Sequence, residues 1–178
     1  DIGKCKSDKK PTGGYKYSGR QEITHKLLPG KNIFEAKILT AGAPQYRSHF
    51  FQIHDGRSKG KPPSMVSVNK DWMIRNQHSI DCFKPNCKQL SYDAYLNPGE
   101  RKNFKAEVEY INKEKKISAK YYLDGELIIQ HLNVPLDTKK TDGPYGPNRP
   151  YIKIGMYRIG DTGTTTFSYN KIVLKNKR

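Results

Sequence analysis

Short runs in which every second residue is apolar, separated by Gly, Pro, Asn and Asp, recur along the 178-residue chain and restrict its fold more than any other feature. Side chains alternate between faces along a strand, so each run can bury one face and offer the other to solvent or ligand. Residues 32–40 set Phe34, Ala36 and Ile38 against Glu35 and Lys37. Residues 105–112, 117–123 and 126–132 read as a meander, and Asp124-Gly125 is the dipeptide a type I′ hairpin favours. Further strands are expected at 15–25, 47–55, 64–69, 151–159 and 165–174, with a turn at 28–31 and Gly/Pro-rich loops at 56–63 and 141–150. The segment 70–98, which carries the single Trp72, is the least regular. Nothing has the period of a long amphipathic helix, and no internal repeat is visible. The pattern predicts an all-β sandwich or jelly roll of two antiparallel sheets. One domain over 15–178 is expected, behind a loose arm over 1–14.

An apolar content of 34% suffices for such a fold, because only alternate side chains need be buried. No apolar run approaches the roughly 18–20 residues a membrane-spanning helix needs. The 33 Lys and Arg against 17 Asp and Glu leave a net charge of +16, a field that draws polyanions. Nucleic acid, an anionic membrane surface and an acidic polysaccharide all fit that charge, and so does a merely solvated basic surface. The start at Asp1 without a methionine fits a mature product whose signal peptide has been removed, and equally an artificial start. Of three cysteines, Cys82 and Cys87 bracket a turn-like segment that a local disulfide could close, leaving Cys5 free, intermolecular or an alternative partner. No second Cys/His cluster offers zinc-ligand spacing. A secreted, extracellular protein is expected.

Three strands carry the chemistry. In 151–158, Ile152, Ile154 and Met156 form an apolar wall, while Tyr151, Lys153, Gly155 and Tyr157 occupy the other face. That second face is either a solvated strand face or a cleft with room cleared by the glycine. In 50–55, Phe51 and Ile53 face one way, and Phe50, Gln52 and His54 the other. An amide can hydrogen-bond a carboxylate without a charge of its own, and an imidazole titrates near neutrality. In 20–25, Arg20, Glu22 and Thr24 share a face and Ile23 turns to the core. The Arg–Glu pair is either a surface ion pair of little weight or a guanidinium positioned for a substrate carboxylate.

Arg20-x-Glu22, Gln52-Ile53-His54 and Tyr151-x-Lys153-x-Gly155-x-Tyr157, in this order, resemble the three cleft strands of β-jelly-roll polysaccharide lyases of the alginate lyase type. Phe51-Gln52-Ile53-His54 followed by Pro62-Pro63-Ser64-Met65-Val66 resembles the related glucuronan lyases and the heparin-lyase-like branch. The resemblance spans about residues 15–174. It implies a concanavalin-like jelly roll with a cationic cleft, and β-elimination at a 4-linked uronic acid, with endolytic action expected. Gln52 with Arg20 would neutralise the substrate carboxylate, Tyr157 would protonate the leaving oxygen and serve as base for some sugars, and His54 would be the base for one sugar configuration. Lys153, Tyr151, Glu22, Arg158 and, in the basic loop, Arg57 would bind neighbouring sugars. The chemistry requires no cofactor, and such folds accommodate a structural calcium, although no acidic cluster here demands one. A monomer acting on an acidic polysaccharide is expected. Thr24 and Ile159 stand where the family pattern has an arginine and a glutamine, which leans the expected substrate towards glucuronate-containing chains.

Three rivals compete with this reading. A non-catalytic acidic-polysaccharide-binding module of the same architecture would need no His54–Tyr157 pair. A glycoside hydrolase needs two carboxylates across the bond; Glu107-x-Glu109 has suitable alternation, but the usual retaining-enzyme pattern on a strand is not present. A nucleic-acid binder would show basic residues interleaved with exposed aromatics, and no RNP-type motif is present.

Overall fold

In a computed structural model of the chain, residues 6–7, 18–42, 47–55, 62–78, 89–91, 93–136, 144–145, 149–159 and 165–177 are described; the side chains of 6–7, 18–21, 47, 76–78, 89–91 and 157–159 lie outside that description. Twelve strands are present among these residues: β1 (Lys6–Ser7), β2 (Ser18–Lys26), β3 (Gly30–Gly42), β4 (Arg47–His54), β5 (Ser64–Val68), β6 (Ile74–His78), β7 (Gln89–Ser91), β8 (Arg101–Ile111), β9 (Lys116–Leu123), β10 (Glu126–Pro135), β11 (Tyr151–Ile159) and β12 (Thr165–Lys177). They form two six-stranded sheets, β1-β2-β11-β4-β5-β6 and β12-β3-β8-β9-β10-β7, with every pairing antiparallel. This is the all-β jelly-roll sandwich the alternation predicts. No helix among the described residues is long and apolar enough to cross a membrane.

The core is aromatic. Phe51 of β4 packs on Phe34 of β3, Phe104 of β8 and Tyr121 of β9, with ring centroids 5.3, 5.6 and 5.7 Å apart. Such tilted and edge-on pairs join the two sheets across the sandwich. The meander arrives as expected, and the Asp124-Gly125 turn has φ of 50° and 89°, the left-handed pair a type I′ hairpin requires. Lys6–Ser7, inside the expected N-terminal arm, pair with Arg20 and Gly19. In the irregular middle segment Trp72 adopts φ of 60° in a turn whose Met73 and Asp71 amides donate to Asn69 Oδ1. The Trp72 ring is buried, 6.0 Å from Phe167. Cys5, Cys82, Cys87 and Arg57 lie outside the described residues.

Two side chains depart from strict alternation. Phe50, expected beside Gln52 and His54, turns inward with Phe51, edge-on to Phe104 at 5.2 Å and stacked on Phe167 at 5.5 Å. The cause is a bulge: the β4–β5 register slips between His49 and Phe51, so two consecutive residues face the core. Ile23, expected in the core, is 42% exposed. It lies on the inner face of β2, where the sandwich is unsealed. Cavities of about 220 and 250 Å³ open along this seam between β2 and β12.

Candidate active site

The three chemistry-bearing strands are neighbours. β11 lies between β2 and β4, so segments distant in sequence share one sheet face. β2 pairs β11 without a slip: Thr24 is opposite Lys153, Glu22 opposite Gly155 and Arg20 opposite Tyr157. On the other side His54 is opposite Tyr151 and Gln52 opposite Lys153.

At the Gln52 end the side chains form a continuous polar chain. His54 Nε2–H donates to Gln52 Oε1 at 3.2 Å, and the Gln52 amide donates to Glu22 Oε1. Lys153 Nζ lies 3.7 Å from Glu22 Oε2. Glu22 and Lys153 are only 5% and 13% exposed, so solvent screens this pair less than a surface one. Glu22 therefore orients the amide and holds the ammonium in place, while the side chain of Arg20, its expected partner, lies outside the described residues. An acceptor such as a carboxylate entering here meets one amide and one cation, already fixed by their partner.

Aromatic rings close this end. His54 stacks on Tyr151, centroids 4.9 Å apart and 9° from parallel, and the Lys153 ammonium stands 6.0 Å from the Tyr151 ring centre. Tyr145, a loop residue the sequence reading did not single out, meets Tyr151 edge-on at 5.8 Å. Its hydroxyl shares a 2.9 Å hydrogen bond with Thr24 Oγ1. Only a Pro-Tyr-Gly run in a turn-rich segment signals Tyr145 in the sequence, which gives no reason to place it over β2.

The Tyr157 end is separate. The β11–β4 register slips between Ile154 and Tyr157, and Tyr157 falls opposite His49. Because β2 and β11 stay in phase, Tyr157 shares its face with Lys153, and His49 shares it too. Strict alternation from Gln52 would have turned His49 inward; the bulge at Phe50 makes it a member of the cleft row. The structure thus brings Arg20, Tyr157 and His49 into one cross-strand row by their backbones. It does not bring His54 opposite Tyr157: His54 aligns with Tyr151, six residues along β11, or about 20 Å at strand rise. The side chains of Arg20, Tyr157 and Arg158 are outside the described residues.

Glu107 has a structural partner set. It sits on β8 in the other sheet, 2.8 Å from Lys31 Nζ and 2.6 Å from Lys105 Nζ. Desolvation works against its charge, but hydrogen bonds from the two lysines outweigh it and hold the carboxyl below the usual glutamate range. A glycosidase acid needs the opposite shift, so Glu107 reads as an ion-paired member of a solvent face. Among the described residues no group of three His, Cys, Asp or Glu side chains is assembled as a metal site would be.

A family model described as polysaccharide lyase matches residues 36–173. No curated protein matches the chain. Among solved structures, the alginate lyase from Corynebacterium sp. superposes with a TM-score of 0.57 at 14% identity, covering 93% of this chain and 70% of that one. The marine PL7 alginate lyase AlyA1 from Zobellia galactanivorans gives 0.54 at 11% identity, covering 91% and 70%. The catalytic domain of a glycoside hydrolase family 131 protein from Coprinopsis cinerea also gives 0.54 at 11% identity, covering 90% and 64%. At these identities the superpositions speak for the fold, which hosts more than one chemistry.

Proposed function

The chain belongs to the polysaccharide lyase family, and from that premise we propose that it cleaves a 4-linked uronate polymer, of glucuronan or alginate type, by endolytic β-elimination. The observation that carries this reading is the single sheet face on which β2, β11 and β4 align Arg20, Glu22, Gln52, Lys153 and Tyr157. Elimination requires that the carboxylate next to C5 be neutralised, that the C5 proton be removed and that O4 leave protonated. The Gln52 amide and the Lys153 ammonium supply neutral and cationic donors for a carboxylate. Tyr157 is the acid for O4, with Arg20 its cross-strand neighbour. No cofactor enters these steps, and action outside the cell, as a monomer, is part of the proposal.

The row of polar and aromatic positions from Tyr151 to Tyr157, about 20 Å of strand, suits a chain engaged over several sugars, which is the support for endolytic action, with the amide, base and acid converging on one of them. The register also favours a second reading of the base. His54 is the imidazole at the Gln52 end, whereas His49 is the one directly opposite Tyr157.

The test is a substrate panel of polyglucuronate, alginate and heparin, following the ultraviolet absorbance of the unsaturated product. Tyr157→Phe should abolish turnover while polymer affinity is retained. Loss of turnover in His49→Ala but not in His54→Ala would assign the base to His49, and the reverse to His54. A protein that binds these polymers and yields no unsaturated product would be a binding module instead.

A further inference from the structure

Two register slips meet beneath the proposed acid. β11 carries one extra residue against β4 between Ile154 and Tyr157, and β4 carries one extra against β5 between His49 and Phe51. A bulge interrupts the ladder and leaves backbone groups in need of other partners. Here the partner comes from the opposite sheet. The Tyr169 hydroxyl of β12 lies 3.0 Å from the Phe50 carbonyl oxygen and 3.2 Å from that of Gly155. One hydroxyl hydrogen is thereby shared between the two strands at the point where their pairing fails. Gly155 itself has φ of 136°, a conformation that side-chain-bearing residues rarely adopt.

The Tyr169 hydroxyl is a dependable donor. Burial is the main force that pushes its pKa up, and the nearby Glu22 carboxylate adds to the rise against the Gly155 hydrogen bond, so it stays protonated. Its ring packs on the core, beside a cavity of about 250 Å³ that leaves the bulge without close packing on one side. A single hydrogen-bonded tie therefore matters more here than in a close-packed sheet.

We propose that Tyr169 is a positioning residue for the lyase reaction: by tying the Phe50 and Gly155 carbonyls together it fixes the double bulge, and with it the placement of Tyr157 and His49 relative to Gln52. The inference rests on the reading of Tyr157 as the acid. It assigns to a tyrosine on the far sheet a kinetic role with no substrate contact. Misplacement of a reacting group by about 1 Å can cost on the order of a hundredfold in rate, so small slackening of the bulge is enough.

The test is the kcat and KM of Tyr169→Phe, which keeps the ring and deletes the tie, on whichever uronate polymer the wild type cleaves. The expected result is a fall in kcat of tenfold or more with KM within about twofold, because the sugar-binding groups at the Gln52 end are untouched. Normalising kcat to the folded fraction measured by circular dichroism keeps the test decisive if the phenylalanine variant folds poorly. A wild-type kcat in the folded variant, or a change confined to KM, overturns the proposal. A wild type that forms no unsaturated product overturns the functional reading itself, and this inference with it.

Discussion

Replacing Ser64 by alanine removes one oxygen from the interior and is expected to destabilise the sandwich strongly. Ser64 Oγ on β5 lies 2.5 Å from the Tyr121 hydroxyl on β9 and 2.7 Å from His131 Nδ1 on β10, and all three residues are fully buried. Burial raises the Tyr121 pKa, more than the Ser64 hydrogen bond lowers it, and keeps the phenol protonated. Tyr121 donating to Ser64, and Ser64 donating to His131, is an arrangement that satisfies all three groups. The alanine variant strands a phenol and an imidazole nitrogen away from this oxygen. At about 1–3 kcal/mol for each buried hydrogen bond lost while its other partner stays inside, the loss is about 3 kcal/mol, or roughly 6–12 °C in Tm for a domain of this size. Tyr121→Phe removes donor and demand together, leaves the Ser64–His131 bond, and should cost only about 1 kcal/mol. The double variant should then cost less than the sum of the two. Urea unfolding with an unchanged slope measures these values. A Ser64→Ala loss within about 0.5 kcal/mol of zero, or strictly additive singles, would refute the account of a shared hydrogen-bond chain.

Two further outcomes test the other sheet. Glu107 has a folded pKa below its ordinary value of 4.5, so the stability it contributes is present above that value and is lost as pH falls through the folded pKa. Unfolding midpoints at pH 6 and pH 3.5 should therefore differ less in Glu107→Gln than in the wild type; an equal drop would show that its lysine pairs carry no stability. Gly125→Ala meets no atom within 4 Å of the new Cβ, yet it must hold φ of +89°, so its cost is backbone strain alone. A loss of about 1 kcal/mol or slightly more is expected in the same unfolding assay, and no loss would show that the turn relaxes.

The parts of the fold legible in the sequence are those governed by nearest neighbours. Alternation of Phe34, Ala36 and Ile38 places β3, Asp124-Gly125 sets its hairpin, and β11 runs over the nine residues its pattern predicts. The candidate site was legible as three short motifs, because each lies on one strand and its shared face follows from period two. What could not be read is the relation between strands. The slip opposite Gly155 goes with Phe50 and Phe51 packed side by side against Phe104, Phe34 and Phe167, residues on three other strands. A one-residue slip reverses which side chains face the cleft. The β4–β5 slip turns Phe50 in and puts His49 on the cleft face, and the β11–β4 slip sets Tyr157 opposite His49, while His54 keeps its place beside Tyr151. Period two cannot reveal such a slip, since either phase of Ser48-His49-Phe50-Phe51 buries one phenylalanine and only the assembled core makes room for both. The same blindness hid Tyr169, between Ser168 and Asn170, and Tyr145, between Pro144 and Gly146, whose partners lie on other elements. A lyase of this build therefore involves its rear sheet in more than support: the aromatic rings of β3, β8 and β12 pack on the two phenylalanines of the bulge that sets His49, and not His54, opposite Tyr157.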